Sequence, residues 1–342
     1  MILWPKAVGI DIAIRKMRSN PAKFIGSKYA PMTESQFQEV EYDEIYGPVG
    51  MTNSHALNSE PKLVKFPKVV RKLFKAAYFK ETHRIDESDI LKLRNLGGSE
   101  QQRISAQQLV AVGLDSLNIR IENRVEWMRW QALINGRVQI DENKVKVNAV
   151  YGIPEENLNV KVKTTWTDAE NAKPVEDIQS VIRSYVGSGH KLTTMVMNSY
   201  TAGLFCFAKD TKTYYKGMGV QEKLTSGNLT KYFSSIFPGV ELEIYDEGWV
   251  DESNVFHEFV PNNKILCLGD APAGEICDVV SVPSLHTATG EPAPGKFAIV
   301  IDKSGTENAN PHYDIVGGIY CLPRIRRPEA IRVVDVTQVL QG

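Results

Sequence analysis

Residues 99 to 136, SEQQRISAQQLVAVGLDSLNIRIENRVEWMRWQALING, constrain the fold more than any other stretch. Val110, Leu114, Leu117, Ile121, Val125, Met128 and Ala132 follow one another at spacings of 4, 3, 4, 4, 3 and 4, which is one face of a 3.6-residue period. No proline interrupts the run. Ser99 with Gln102 three residues later makes a capping box, and Asn135-Gly136 supplies residue types that accept the left-handed conformation closing a helix. At ~1.5 Å per residue such a helix is roughly 54 Å long. A compact chain of 342 residues has a diameter of roughly 50 Å by the usual scaling, so one helix would cross the whole subunit. The pattern predicts a flat or elongated subunit built along a spine, a shape suited to touching neighbours. Periodicity alone leaves open a long core helix or a coiled-coil seam.

With 42% hydrophobic and 24% charged residues the chain has the makeup of a folded soluble protein, long enough for two domains. Forty Lys and Arg against 41 Asp and Glu give a formal charge of -1, so no overall basic balance draws it to nucleic acid or an anionic membrane. The start is a poor signal peptide, and no apolar run approaches the ~18 residues of a membrane span. Cys206, Cys267, Cys277 and Cys321 are widely separated without a C-x-x-C, which predicts buried thiols in a reducing compartment rather than zinc or a redox pair.

Charge is patterned locally. Residues 1 to 30 hold Lys6, Arg15, Lys16, Arg18, Lys23 and Lys28 against Asp11 alone. This basic arm precedes every strongly patterned element, so it is expected to act in assembly rather than folding. It could touch nucleic acid or an acidic partner, or remain a solvated terminus. Glu34, Glu39, Glu41, Asp43 and Glu44 then reverse the sign, and Pro48 to Pro61 reads as a loop tip. Lys62, Lys65, Lys68, Arg71, Lys72, Lys75 and Lys80 follow unopposed. An acidic leg, a polar tip and a basic leg predict a long hairpin whose legs attract each other or a neighbour's, with Glu39, Glu41, Glu44, Lys68, Arg71 and Lys72 as candidate subunit-contact residues. The rival reading makes Phe66, Val70, Leu73 and Ala77 one face of a membrane-surface helix, which Pro67 weakens.

Beyond the spine, residues 138 to 149 predict a hairpin and residues 158 to 162 a further strand, and a polar linker at 167 to 174 opens a second region. That region predicts helices from Pro174, near Ser199 and over Leu229 to Ile236. Strands are predicted at Met195 to Met197, Val240 to Ile244, Phe256 to Val260, Lys264 to Leu268, Phe297 to Ile301, Ile315 to Leu322 and Ile331 to Val336. Ala271 to Gly295, rich in Pro, Gly and Ala, reads as loop.

Chemistry is hard to find. Gly187-Ser188-Gly189-His190-Lys191 lacks the order of a phosphate loop, and His257-Glu258 lacks the second His of a metalloprotease helix. Histidines 55, 83, 190, 257, 286 and 312 fall at no metal-ligand spacing, and Ser188 lacks a nucleophile elbow. These residues predict no catalytic group, no metal and no cofactor.

Several motifs, in order, carry a family resemblance: Glu126-Trp127-Met128-Arg129-Trp130-Gln131-Ala132-Leu133-Ile134-Asn135-Gly136, Thr165-Trp166-Thr167, Pro174 with Asp177-Ile178, Phe259-Val260-Pro261-Asn262-Asn263 leading to Gly269, and Arg327-Pro328-Glu329-Ala330. Over roughly residues 36 to 336 the chain resembles the major capsid proteins of tailed bacteriophages, of the lambda E-protein type. The resemblance implies the α+β, Hong Kong 97-type capsid fold: an amino-terminal arm (1–35), an extended loop (36–95), a peripheral domain with the spine helix (96–172), an axial domain (173–322) and a closing strand (323–342) that can return to the peripheral domain. It implies a non-enzymatic shell protein that assembles with itself into hexamers and pentamers of an icosahedral head around double-stranded DNA. Implied partners are scaffold, portal and decoration proteins. Assembly in the host bacterial cytoplasm, without a membrane, is also implied. An encapsulin-like compartment and an α/β enzyme using His190 or His257 are the alternatives.

Overall fold

The computed structural model describes residues 14, 23–46, 51, 54, 60, 68–89, 99–142, 145–219, 222–271, 274–285, 290–303, 305 and 310–339. A short helix α1 (Gly26–Tyr29) and strand β1 (Met32–Glu34) precede the charged legs, which form β2 (Glu39–Tyr46) and β3 (Lys68–Lys75). These strands pair antiparallel, from Glu39 opposite Lys75 to Tyr46 opposite Lys68. After Ala76 the chain enters β4 (Ala77–Asp86), which runs along a different sheet. The basic run is therefore divided: Lys68 to Lys75 lie in the hairpin and Lys80 does not. It is also strand rather than helix from residue 68, which removes the membrane-helix reading there; Phe66 and Pro67 lie outside the described residues. The polar tip at 48–61 lies largely outside them too.

The spine is helix α2 (Ser99–Asn135), 37 residues without a break. All seven stripe residues are buried, from Val110 to Ala132. The side chains of its first turns, and with them the Ser99 capping box, lie outside the described residues. At the other end Gly136 takes φ 62° and its N–H bonds the Ala132 carbonyl at 3.1 Å. A Cβ there would come within 2.7 Å of a Leu158 methyl, so glycine both accepts the left-handed turn and leaves room for what packs on it. The turn feeds directly into the hairpin of β5 (Arg137–Glu142) and β6 (Val145–Val150).

A one-turn helix α3 (Glu155–Leu158), which the strand reading missed, leads to β7 (Val160–Val162). The second region carries α4 (Pro174–Ser184), β8 (Leu192–Met197), α5 (Ser199–Phe207), α6 (Lys209–Gly217), α7 (Ser226–Ile236) and β9 (Glu241–Ile244). A small hairpin, β10 (Gly248–Val250) with β11 (Phe256–Glu258), is followed by β12 (Lys264–Gly269). Then come β13 (Cys277–Ser281), β14 (Lys296–Lys303), β15 (His312–Ile325) and, after a 3₁₀ turn at Pro328–Ala330, β16 (Ile331–Val339). The loop reading of 271–295 fails at β13, whose five residues are all buried between β1 and β15. A five-residue strand covered on both faces shows too little alternation to be seen among Pro and Gly.

Two sheets organise the molecule. One joins β1, β13, β15 and β14, with β4 also on β15; the other has the order β7-β16-β12-β8-β9. The second sheet is a wall between two cores. Val196, Leu266, Leu268, Ile331 and Val333 face the core that holds the spine, whereas Met195, Met197, Ile265, Cys267, Val334 and Val336 face the core under α4, α5 and α7. The period-2 alternation of its strands distributes one sheet's side chains to both. Ile14, Phe24 and Ala30 also belong to the spine core, with 0%, 3% and 0% exposure. The expectation that the basic arm of residues 1–30 acts in assembly rather than folding is thus corrected at these positions, because single apolar residues in a basic segment carry no periodic signal.

Candidate functional site

The charged hairpin meets the body at its root, and there the candidate contact residues separate. Glu41 and Arg71 form an ion pair at 3.0 Å across β2 and β3 of one chain. Lys72 reaches the Val150 carbonyl on β6 at 3.5 Å, and Phe74 stacks edge-on against Tyr151 with ring centroids 5.9 Å apart. Glu39, Glu41, Arg71 and Leu73 line a hollow of about 490 Å³ with Phe37 and Arg324. Glu44 and Lys68 lie further out, opposite Val70 and Tyr46. The six residues thus take different places: Glu41 and Arg71 pair and, with Glu39, line the hollow, Lys72 fastens the root, and Glu44 and Lys68 sit farther along β2 and β3. Leu73 and Phe37 are exposed at the hollow's rim.

Below the hollow, Asp278 on β13 is buried and accepts hydrogen bonds from Arg324 at 2.9 and 2.6 Å, Arg326 at 2.9 Å and Thr33 at 2.8 Å. Arg324 also donates to the Glu41 carbonyl at 3.1 Å, so the same guanidinium supports the hairpin. Burial pushes the Asp278 carboxyl up, but the hydrogen bonds and charges of Arg324 and Arg326 together outweigh it and hold it below the usual carboxylate range. A carboxyl whose folded value is depressed contributes stability above its unfolded value, near ~3.9, and loses it as pH falls through the folded value. Melting temperature measured from about pH 5 to about pH 2 is expected to fall, and to fall less steeply in Asp278→Asn. Asp314, held by Arg84 and Lys303, contributes with the same sign, so the slope is reduced rather than abolished.

A second buried junction sits on the spine. The Glu126 carboxylate, fully buried, accepts from the Gly26 N–H at 2.7 Å, Trp130 Nε1 at 2.8 Å and Arg129 at 3.0 Å, and the Tyr245 hydroxyl shares its one proton between Glu126 at 3.1 Å and the Lys23 carbonyl at 2.7 Å. Arg129 Nε donates onward to the Ala30 carbonyl at 2.9 Å. Burial, and then the Glu126 charge, push the Tyr245 hydroxyl well above its ordinary value, so it stays a donor. One carboxylate thus ties together the amino-terminal segment, the spine and the segment following β9. Sequence reasoning used Glu126, Arg129 and Trp130 as a motif without assigning them this role. The available signal was their spacing, since i, i+3 and i+4 meet on one helix face beside the apolar stripe.

The residues considered for chemistry lie apart. His190 is wedged between Asp270 and Glu329, with ring nitrogens 3.7 and 3.4 Å from their carboxylates. His257 bonds Asp251 at 2.8 Å on the β10–β11 hairpin and stacks on Trp249. His55 and His286 lie outside the described residues, and among the described residues no three His, Cys, Asp or Glu are grouped to hold a metal. Ser188 bonds the Tyr185 carbonyl in its own turn. The four cysteines are buried and unpaired, and burial pushes the thiols of Cys206, Cys267 and Cys321 up to about 12. Among the described residues no helix is long and apolar enough to cross a membrane.

Comparison with known proteins gives these surfaces a context. A protein assigned as the capsid protein of a prophage in E. coli CFT073 superposes with a TM-score of 0.62 at 14% identity, covering 95% of each chain. A phage-related protein from Bordetella bronchiseptica RB50 gives 0.53 at 10% identity, with 98% of this chain and 100% of that one. The capsid of the Myoviridae phage XM1 gives 0.51 at 9% identity over 95% and 94%. These likenesses establish the Hong Kong 97-type capsid fold. The family described as phage major capsid protein E matches residues 9–335, nearly the whole sequence, and the chain belongs to that family.

Proposed function

We propose that copies of this chain close into hexamers and pentamers of an icosahedral head around double-stranded DNA. The family match over residues 9–335 carries this reading. The structure adds a physical reason. Buried carboxylates at 126 and 278 fasten the spine, the amino-terminal segment and the sheets together, while the hairpin is held at its root by Arg324 and Lys72. Such a division suits near-equivalent contacts in two ring sizes, with stiffness in the body and adjustment at the edges. The roles follow the implied plan: arm over 1–35, extended loop over 36–95, peripheral domain over 96–172, axial domain over 173–322 and closing strand over 323–342. Assembly proceeds in the host bacterial cytoplasm with scaffold, portal and decoration proteins as partners. DNA is enclosed without sequence reading, and no step requires catalysis. Electron microscopy of the purified chain is expected to show closed shells. Open aggregates or small fixed oligomers would refute the reading, and shells holding protein in place of DNA would indicate a compartment of the encapsulin kind.

In this reading the hairpin docks on a neighbour partly by charge. Exposed ion pairs are each worth about 0.2–1 kcal/mol, but a lattice repeats them in every subunit. Reversing Lys68, Arg71 and Lys72 to Glu is expected to lower shell yield with little change in subunit melting, and adding Glu39, Glu41 and Glu44 to Lys is expected to restore part of it. Because Glu41 and Arg71 already pair within one chain, rescue would arise at least partly from re-forming the hairpin itself. Particle counts by microscopy provide the check; absence of rescue would show that the two legs do not work as a charge pair.

A further inference from the structure

Among the described residues strand β9 is an edge of its sheet. It pairs with β8 in parallel, Met197 opposite Ile244, and the Tyr245 N–H bonds the Met197 carbonyl at 2.9 Å. Main-chain groups alternate direction along a strand, so 241, 243 and 245 point toward β8 while Leu242 and Ile244 point outward. Among the described residues the outward N–H and C=O groups of Leu242 and Ile244 have no hydrogen-bond partner. The Leu242 side chain is buried in the core under α7, whereas these main-chain groups face away from β8. They open onto a groove of about 540 Å³ between β9 and α7, whose opposite bank carries the hydroxyls of Ser226, Thr230 and Ser234.

The groove has a charge preference. Glu241 and Asp246 line it and stand exposed, with Glu243 and Lys28 also on its wall. Glu243 is held by Lys28 at 3.0 Å and by the Tyr29 hydroxyl at 2.5 Å. Two copies meeting β9 to β9 would set these acids against their equivalents, so the edge is protected from pairing with itself. We propose that this groove accepts a short extended segment of a different polypeptide, rich in lysine or arginine, that adds to β9 as a further strand. Main-chain hydrogen bonds to Leu242 and Ile244 would hold it, and the acidic rim would select its sign.

The test uses the full chain and a labelled, end-blocked peptide alternating lysine and valine, followed by fluorescence anisotropy at low salt. Saturable binding is expected, with the matched glutamate–valine peptide at least about tenfold weaker. A lysine–valine peptide N-methylated at alternate residues keeps its charges but loses the donors on one edge. Its binding is expected to fall about tenfold through the loss of main-chain hydrogen bonds to β9. Because that change is in the peptide, it does not depend on a protein variant folding. Ile244→Pro removes one outward N–H while leaving the β8 side intact, and should weaken the unmethylated peptide similarly. Absence of binding, equal binding of the methylated peptide, or unchanged binding to Ile244→Pro would each overturn strand addition. The second of these would reduce the groove to a nonspecific acidic surface.

Discussion

Replacing Glu126 with alanine is expected to leave the chain insoluble or molten. The substitution strips the acceptor from the Gly26 N–H, Trp130 Nε1 and Arg129, whereas the Tyr245 hydroxyl keeps the Lys23 carbonyl, and it leaves the Arg129 guanidinium, 2% exposed, bonded to the Ala30 carbonyl. Breaking a buried ion pair by removing one partner typically costs about 3–5 kcal/mol, and each stranded donor adds to this. That approaches the ~5–15 kcal/mol by which domains are stable at all. Glu126→Gln preserves the shape without the charge, so its loss should be smaller. Removing both charges as Glu126→Leu with Arg129→Met should recover much of the deficit, because a buried pair stabilises little relative to apolar packing of the same volume. Thermal melting of the three variants decides the matter. A soluble Glu126→Ala chain melting within a few degrees of the parent would mean that water reaches the junction.

Deleting residues 1–34 is expected to be comparably damaging. The deletion takes away Ile14 and Phe24, each worth about 1.5–3 kcal/mol when buried, together with β1 and the Gly26 and Ala30 main-chain groups that complete the Glu126 and Arg129 bonds. Phe24→Ala offers a milder measure, with about 3–5 kcal/mol lost in urea unfolding if the ring's site cannot collapse. A truncated chain with unchanged melting would return this segment to a purely assembly role.

The spine was legible because its apolar period runs unbroken over many turns and ends in Asn-Gly. The hairpin was legible from its change of sign. What escaped included α6 and β10 and, more instructively, two kinds of feature. β13 and α3 are too short for periodicity to register, and β13 is buried on both faces, where alternation disappears. The two carboxylate junctions depend on partners far away in sequence: Glu126 meets Gly26 and Tyr245, and Asp278 meets Thr33 and Arg324. For Asp278 nothing local distinguishes the carboxylate from one facing water, and for Glu126 the local hint is confined to Arg129 and Trp130 at i+3 and i+4. The candidate contact residues show the converse limit, since their charges were plain while their distribution between pairing, anchoring and outer strand required the register.

The position of β16 sets a condition on synthesis. Residues 331–339 lie between β7 and β12, inside the sheet that separates the two cores. Until residue 339 has left the ribosome, a nascent chain has neither core fully enclosed, and β7 and β12 present unpaired inner edges. Non-local pairing of this kind forms late, after the costly closure of long loops. A growing chain is therefore kept from offering a finished body to its neighbours. A product terminated ahead of residue 331 lacks the strand on which both halves lean, and so would be cleared or aggregate instead of entering a lattice as a defective tile.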